Sequence, residues 1–372
     1  SYTCPRKWFG PNSHIGSIKF YIAGENLFVL TRYSGYDPEE QMKVRIIMEE
    51  WQNGHDQPGY HYHQEQDKKR KPIETPGKRF WKMWGPLLIK WGIGIGVGMV
   101  VMAAMMVAYM KTHYQTQAAL EALMSDQNKL MGFYEKMLNK YIDYTTWVEG
   151  LSALVTIPVM AILYHGDRKK EKKAGIIPDK KAPLWKYPAA LIMALAMSLG
   201  LNNLIIIGNL SAVDASYKTT MDAMYSAPLA IQILCLAVLV PICEEYVFRG
   251  LFFRRMEKES SFVYAMVYSS VVFGVLHVNL VQMLYGFLLG LMLAYVYEKY
   301  GSLKAPAAAH MAMNLLSVLA TRYGLYNWML KDNMRIGVIT VVCAMIASTM
   351  FVLIQRIEEK PELKTENENL AM

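Results

Sequence analysis

The feature that most constrains this chain is how its apolar residues gather. They form runs near 20 residues long instead of recurring with the period of an amphipathic helix. A run of about 20 apolar residues, rising 1.5 Å each as a helix, matches the hydrocarbon thickness of a bilayer. With no water there to take up backbone N–H and C=O groups, such a run folds as a helix. The expected fold class is therefore all-α, a polytopic integral membrane protein with about eight transmembrane helices. The 53% hydrophobic content and 27 Met among 372 residues agree with this class.

The spans are expected near residues 84–110, 147–164, 187–208, 227–253, 262–277, 280–297, 305–320 and 336–354. The net charge of +8 does not call for nucleic acid, because the Lys and Arg residues cluster beside the apolar runs, where they act as topological signals. Lys68, Lys69, Arg70 and Lys71 precede the first span, with Lys78, Arg79 and Lys82. Arg168, Lys169, Lys170, Lys172 and Lys173 follow the second, and Arg254, Arg255 and Lys258 follow the fourth. The loop 209–226 holds one Lys. Both termini are expected on the cytoplasmic side of the membrane. Of the four Cys, three lie in apolar runs, which is no pattern for a disulfide framework or a zinc site.

Residues 1–83 read as a polar, partly disordered N-terminal tail. The chain begins at Ser1, and Met48 is a candidate native start. His55, His61 and His63 in this tail read as a flexible His-bearing linker ahead of a metal site. Residues 84–184 hold two spans, a connection at 111–146 expected to be partly helical, and a basic loop. Residues 185–320 form the expected core, and 321–372 the last span and an acidic tail. Gly92, Gly94, Gly96 and Gly98 in the first span, and Gly286 and Gly290 in the sixth, are small-residue faces that let another helix approach.

Polar groups inside the spans carry the functional signal, because an ionised side chain near the bilayer centre costs about 2.5–3.5 kcal/mol on insertion scales. Glu244, Glu245 and Arg249 lie in the fourth span, His277 ends the fifth, and His310 and Asn314 lie in the seventh. On a helix, positions four apart share a face, which stacks Glu245 with Arg249, Phe273 with His277, and His310 with Asn314. Taken singly, an ion pair or interhelical hydrogen bonds explain each of these groups. Together they need partners, and one water-filled cavity supplies them all.

Consecutive helical residues point about 100° apart, so Glu244 and Glu245 face different ways. Arg249 sits over Glu245, which leaves Glu244 without a cation and assigns it as the group that takes a proton from water. His and Asn side chains are suitable donors to an oxyanion on a scissile carbonyl. Alternatively, Glu244, His277 and His310 ligate a divalent metal such as zinc, whose bound water is the nucleophile. Buried Glu and His also build proton pathways, so a proton-coupled transporter stays open, as does a non-catalytic immunity or scaffold protein.

The motifs Glu244-Glu245-x-x-x-Arg249, Phe273-x-x-x-His277 and His310-x-x-x-Asn314, in that order, resemble those of the CPBP family of intramembrane proteases. This family comprises CAAX proteases and bacteriocin-processing enzymes and is also called the Abi family. The resemblance covers roughly residues 185–320. It implies an eight-span endopeptidase acting on a membrane-associated protein or peptide in the lipid bilayer, through a glutamic or a metal-dependent mechanism. It further implies that Glu244 activates water, that Glu245 and Arg249 support it, and that His277, His310 and Asn314 complete the site.

Overall fold

The computed structural model describes residues 15–23, 26–33, 75–176, 181–212, 214–277 and 279–357. The chain divides into two units, residues 1–73 and 74–372. In the first, strands β1 (Ile15–Ala23) and β2 (Asn26–Tyr33) pair antiparallel, closing at Ala23 against Asn26 with a register shift between Ile15 and Ile18. This hairpin lies within the segment read as a polar, partly disordered tail. Met48, His55, His61 and His63 lie outside the described residues.

The second unit is all-α, a polytopic membrane protein. Its helices are α1 (Pro76–His113), α2 (Gln117–Met124), α3 (Gln127–Asp143), α4 (Thr145–Lys173), α5 (Tyr187–Ile207), α6 (Ala215–Met224), α7 (Leu229–Glu257), α8 (Phe262–Val275), α9 (Leu280–Tyr300), α10 (Lys304–Arg322), α11 (Leu325–Leu330) and α12 (Asn333–Gln355). Each of the eight expected spans is a helix. Six of them, α1, α4, α5, α7, α9 and α12, are long and apolar enough to cross a membrane. Helix α8 is shorter, at 14 residues, and ends where the chain turns tightly back into α9. A Cβ on Gly274 would stand 2.6 Å from the Met283 carbonyl oxygen, so the two arms of this hairpin touch through backbone.

Two packed cores lie side by side. One joins α5, α9, α10 and α12 through Met193, Leu293, Tyr300, Met313 and Ile354. The other joins α1, α4, α7 and α8 through Leu87, Met160, Phe248, Phe252 and Phe273. Helix α9 serves both, with Leu289 and Leu293 in the first and Ala294 and Tyr297 in the second. Lipid gives apolar helices no drive to associate, so close contact and hydrogen bonds hold them. The small residues allow that contact. A Cβ on Gly290 would meet Ser270 at 3.0 Å, and one on Gly150 would overlap the Cys235 side chain.

The basic clusters are paired as well as topological. Glu171 receives Arg168 at 2.7 Å, Arg254 at 3.7 Å and Lys258, while Asp167 receives Arg255 at 2.7 Å. Arg255 also donates to the Lys82 carbonyl. Pro86, four residues on, has no N–H to fill that acceptor, so the guanidinium takes the place of a helix donor.

Candidate active site

Helix α7 carries the two acids and changes pitch around them. It is α-helical over Leu229–Gln232, π-helical over Ile233–Leu239, α-helical over Val240–Glu245 and π-helical over Tyr246–Phe253. π turns are rare and recur at functional sites. Pro241 gives the first of them a consequence. The Val240 N–H bonds the Cys235 carbonyl five residues back, so the next bond in that register would run from residue 241 to Leu236. Proline has no N–H to make it. The Asn314 side-chain amide donates to the Leu236 oxygen at 2.8 Å instead. Asn314 therefore fills a carbonyl that the helix leaves open and ties α10 to the turn preceding Glu244.

Glu245 is fully buried and its Oε1 is shared. It accepts from Arg249 Nη1 at 2.8 Å and from His310 Nδ1 at 2.8 Å. Arg249 also donates to the Gly290 carbonyl at 3.1 Å and lies over the Phe273 ring, 4.7 Å from its centroid. The pairing read from the i, i+4 spacing is present, and it fastens α7 to α8, α9 and α10 together. Breaking a buried pair of this kind leaves an uncompensated charge, at a cost of about 3–5 kcal/mol.

Glu244 is mostly buried, with 13% of its side chain exposed. The other side of His310 approaches it, with Nε2 3.9 Å from Glu244 Oε2. His310 thus stands between the two carboxylates, one on each ring nitrogen. The expectation that Glu244 has no cationic partner is corrected: Lys90 Nζ of α1 lies 3.6 Å from its Oε1. Glu149 of α4 lies within electrostatic reach of both Lys90 and Glu244. Sequence reasoning missed Lys90 and Glu149, although each is an ionisable residue inside an expected span, the same signal that singled out Glu244.

His277 approaches the site from the α8–α9 turn. Its Nδ1–H donates to the Phe273 carbonyl at 2.8 Å, and its ring packs on Gly286, where a Cβ would come within 3.2 Å. Phe273 separates the two imidazoles, with ring centroids 5.1 Å from His277 and 6.0 Å from His310. With Nδ1–H committed to that carbonyl, Nε2 is the acceptor nitrogen of a neutral His277. The structure thus joins Glu244, Glu245, Arg249 and His310 in one contact network, sets His277 beside it across Phe273, and binds Asn314 to the helix that carries the acids.

The metal alternative does not fit this arrangement. Among the described residues, no group of three or more His, Cys, Asp or Glu side chains is gathered to hold an ion. Of the nominated ligands, Glu244 faces the Lys90 ammonium and His310 Nδ1 is bound to Glu245, with Phe273 between His310 and His277.

A family model described as "Type II CAAX prenyl endopeptidase Rce1-like" matches residues 226–316, the stretch from the start of α7 through Asn314. "Putative membrane peptidase YdiL" of Bacillus subtilis (strain 168) is 26% identical over 122 residues, covering 33% of this chain and 49% of that protein. The chain thus spans about half the length of the curated relative it matches. No solved structure matches. The likeness to CPBP-family proteases therefore holds at the level of the family over the segment that carries all three motifs.

Proposed function

We propose that this protein is an intramembrane endopeptidase that hydrolyses a peptide bond of a membrane-associated protein or peptide, with water as the nucleophile. The observation that carries the reading is His310 standing between Glu245, at 2.8 Å, and Glu244, at 3.9 Å, in a network that Arg249 anchors. Two neighbouring carboxylates are given different surroundings, and separating such groups separates their roles. Glu245 is held on both sides and is structural. Glu244 keeps one oxygen toward His310 and a part-exposed surface, and it is the base that takes the proton from water.

In the reaction, Glu244 accepts a water proton as the oxygen attacks the scissile carbonyl. The proton then passes to the leaving amine, by way of Glu244 itself or of His310 Nε2, and the peptide is cut into acid and amine with atoms and charge balanced. His277, at the mouth of the α8–α9 turn, faces the carbonyl. Asn314 holds the π turn that precedes Glu244. The protein sits in a bacterial plasma membrane with both termini cytoplasmic, and its substrates are a bacteriocin leader or a regulatory membrane protein.

Membrane proteomes of cells carrying the wild-type protein and its Glu244→Gln variant test this reading. A membrane-associated protein or peptide that accumulates uncut only with the variant supports proteolysis. Matching proteomes, with both proteins present at equal levels, overturn it.

A further inference from the structure

We infer that Lys90 is a positioning residue of the site, delivered by a glycine face of α1 to hold Glu244 in its working orientation. This rests on the reading of Glu244 as the base. The first span shows a single packed stripe, Met83, Trp84, Leu87, Lys90, Gly94 and Gly98, at the three- and four-residue spacing of one helix face. Met83, Trp84 and Leu87 enter the core formed with Phe248 and Phe252, and the Trp84 ring meets Phe252 edge-on at 5.4 Å. Higher on the stripe, a Cβ on Gly94 would stand 3.4 Å from Ser152 Oγ of α4, and one on Gly98 would collide with the Tyr141 hydroxyl at 2.7 Å. Gly92 and Gly96, which share the same two-residue spacing in the sequence, face open space. Of these four glycines, Gly94 and Gly98, one and two turns beyond Lys90 on its own face, are the ones that bring α1 close to its neighbours.

That approach decides where the ammonium goes. Lys90 has 27% of its side chain exposed and points to the Glu244 carboxylate instead of extending along the helix toward an aqueous surface. The groups facing Glu244 are then Lys90 from α1, Glu149 from α4, His277 from the end of α8, His310 from α10, and Cys243, Glu245 and Arg249 from its own helix. Among the described residues Lys90 is the one cation paired with Glu244 Oε1, while Oε2 is the oxygen nearest His310. The two oxygens of the base are thereby given fixed directions, Oε1 toward α1 and Oε2 toward the imidazole. Without Lys90 the carboxylate is free to rotate away from His310.

Two measurements test this on the full-length protein in detergent. The first is a double-mutant cycle by thermal melting with Lys90→Met, Glu244→Gln and the pair. Direct pairing predicts that the double variant melts no lower than the less stable single variant, whereas additive losses overturn it. The second is cleavage of the protein that accumulates in Glu244→Gln cells. Lys90→Met is expected to lose at least about tenfold in kcat with KM unchanged, and Lys90→Arg to keep most of the activity. Gly94→Leu, which pushes α1 off α4 without altering a charge, should lower kcat in the same way and stands in if Lys90→Met does not fold. An unchanged kcat in folded Lys90→Met, or an equal loss in Lys90→Arg, overturns the inference. Cleavage by Glu244→Gln overturns the reading of Glu244 as the base, while the melting cycle still decides whether the two residues pair.

Discussion

Asn314→Leu and Pro241→Ala form a pair whose combined effect follows from the pitch of α7. Leucine has the branching and heavy-atom count of asparagine but no donor, so Asn314→Leu leaves the Leu236 carbonyl, now bonded at 2.8 Å, without a partner. An orphaned buried acceptor costs about 1–3 kcal/mol. At about 2.1 cal/mol/K per residue, a chain of 372 residues shifts by about 1.3 °C per kcal/mol, so the drop in melting temperature is about 1–4 °C. Pro241→Ala restores an N–H at the one position whose π-register acceptor is Leu236, since Val240 already bonds Cys235. In that background the cost of Asn314→Leu should fall to less than half. Melting curves of the four proteins in one detergent give the coupling. If the two changes add without interaction, Asn314 does not substitute for the missing proline N–H, and the account of this turn is wrong. Recovery of substrate cleavage along with stability in the double variant would identify Asn314 as acting through the helix and not through contact with substrate.

Glu245→Gln should cost about 3–5 kcal/mol, because Arg249 and His310 lose the charge between them, and the variant should melt well below Glu244→Gln. Gly290→Leu should lower the melting temperature by overpacking against Ser270, about 1–3 kcal/mol or more, and should displace the carbonyl that Arg249 uses. Asp214 lies outside the spans, at the start of α6. The Ser216 hydroxyl first, and then the Leu280 N–H that opens α9, hold its carboxyl below the usual aspartate value. A lowered folded-state value means that Asp214 stabilises the protein above about pH 3.9 and that this contribution is lost as pH falls through the lower value. Melts across that acid range should show a steeper decline for the wild type than for Asp214→Asn.

The spans were legible because burial in lipid imposes one requirement on long runs of sequence. The stretch 187–208 and helix Tyr187–Ile207 nearly coincide, as do 336–354 and Asn333–Gln355. The Glu245–Arg249 pair was legible because four residues close one turn whichever neighbours surround it. His310 was legible as a buried polar group, but not as the bridge between two acids, which depends on the approach of α10 to α7. Lys90 lies six residues beyond Trp84, inside the first span, and its place between Leu87 and Gly94 on one face marks it as inward. The π turns leave no period in the sequence, and Pro241 is intelligible only once Asn314 is seen at the carbonyl it leaves open. The β1–β2 hairpin did leave a signal, the alternation of Ile18, Phe20 and Ile22 followed by Leu27 and Val29, in a segment read by its overall polarity.

The central claim is that Glu244 does the chemistry while Glu245 holds the fold. Purified wild-type and Glu244→Gln proteins, reconstituted with the membrane protein that accumulates uncut in Glu244→Gln cells, test it in one assay when their melting temperatures are measured alongside. The account predicts that Glu244→Gln melts within a few degrees of the wild type and cuts no substrate. A folded Glu244→Gln protein that cleaves at the wild-type rate would contradict it.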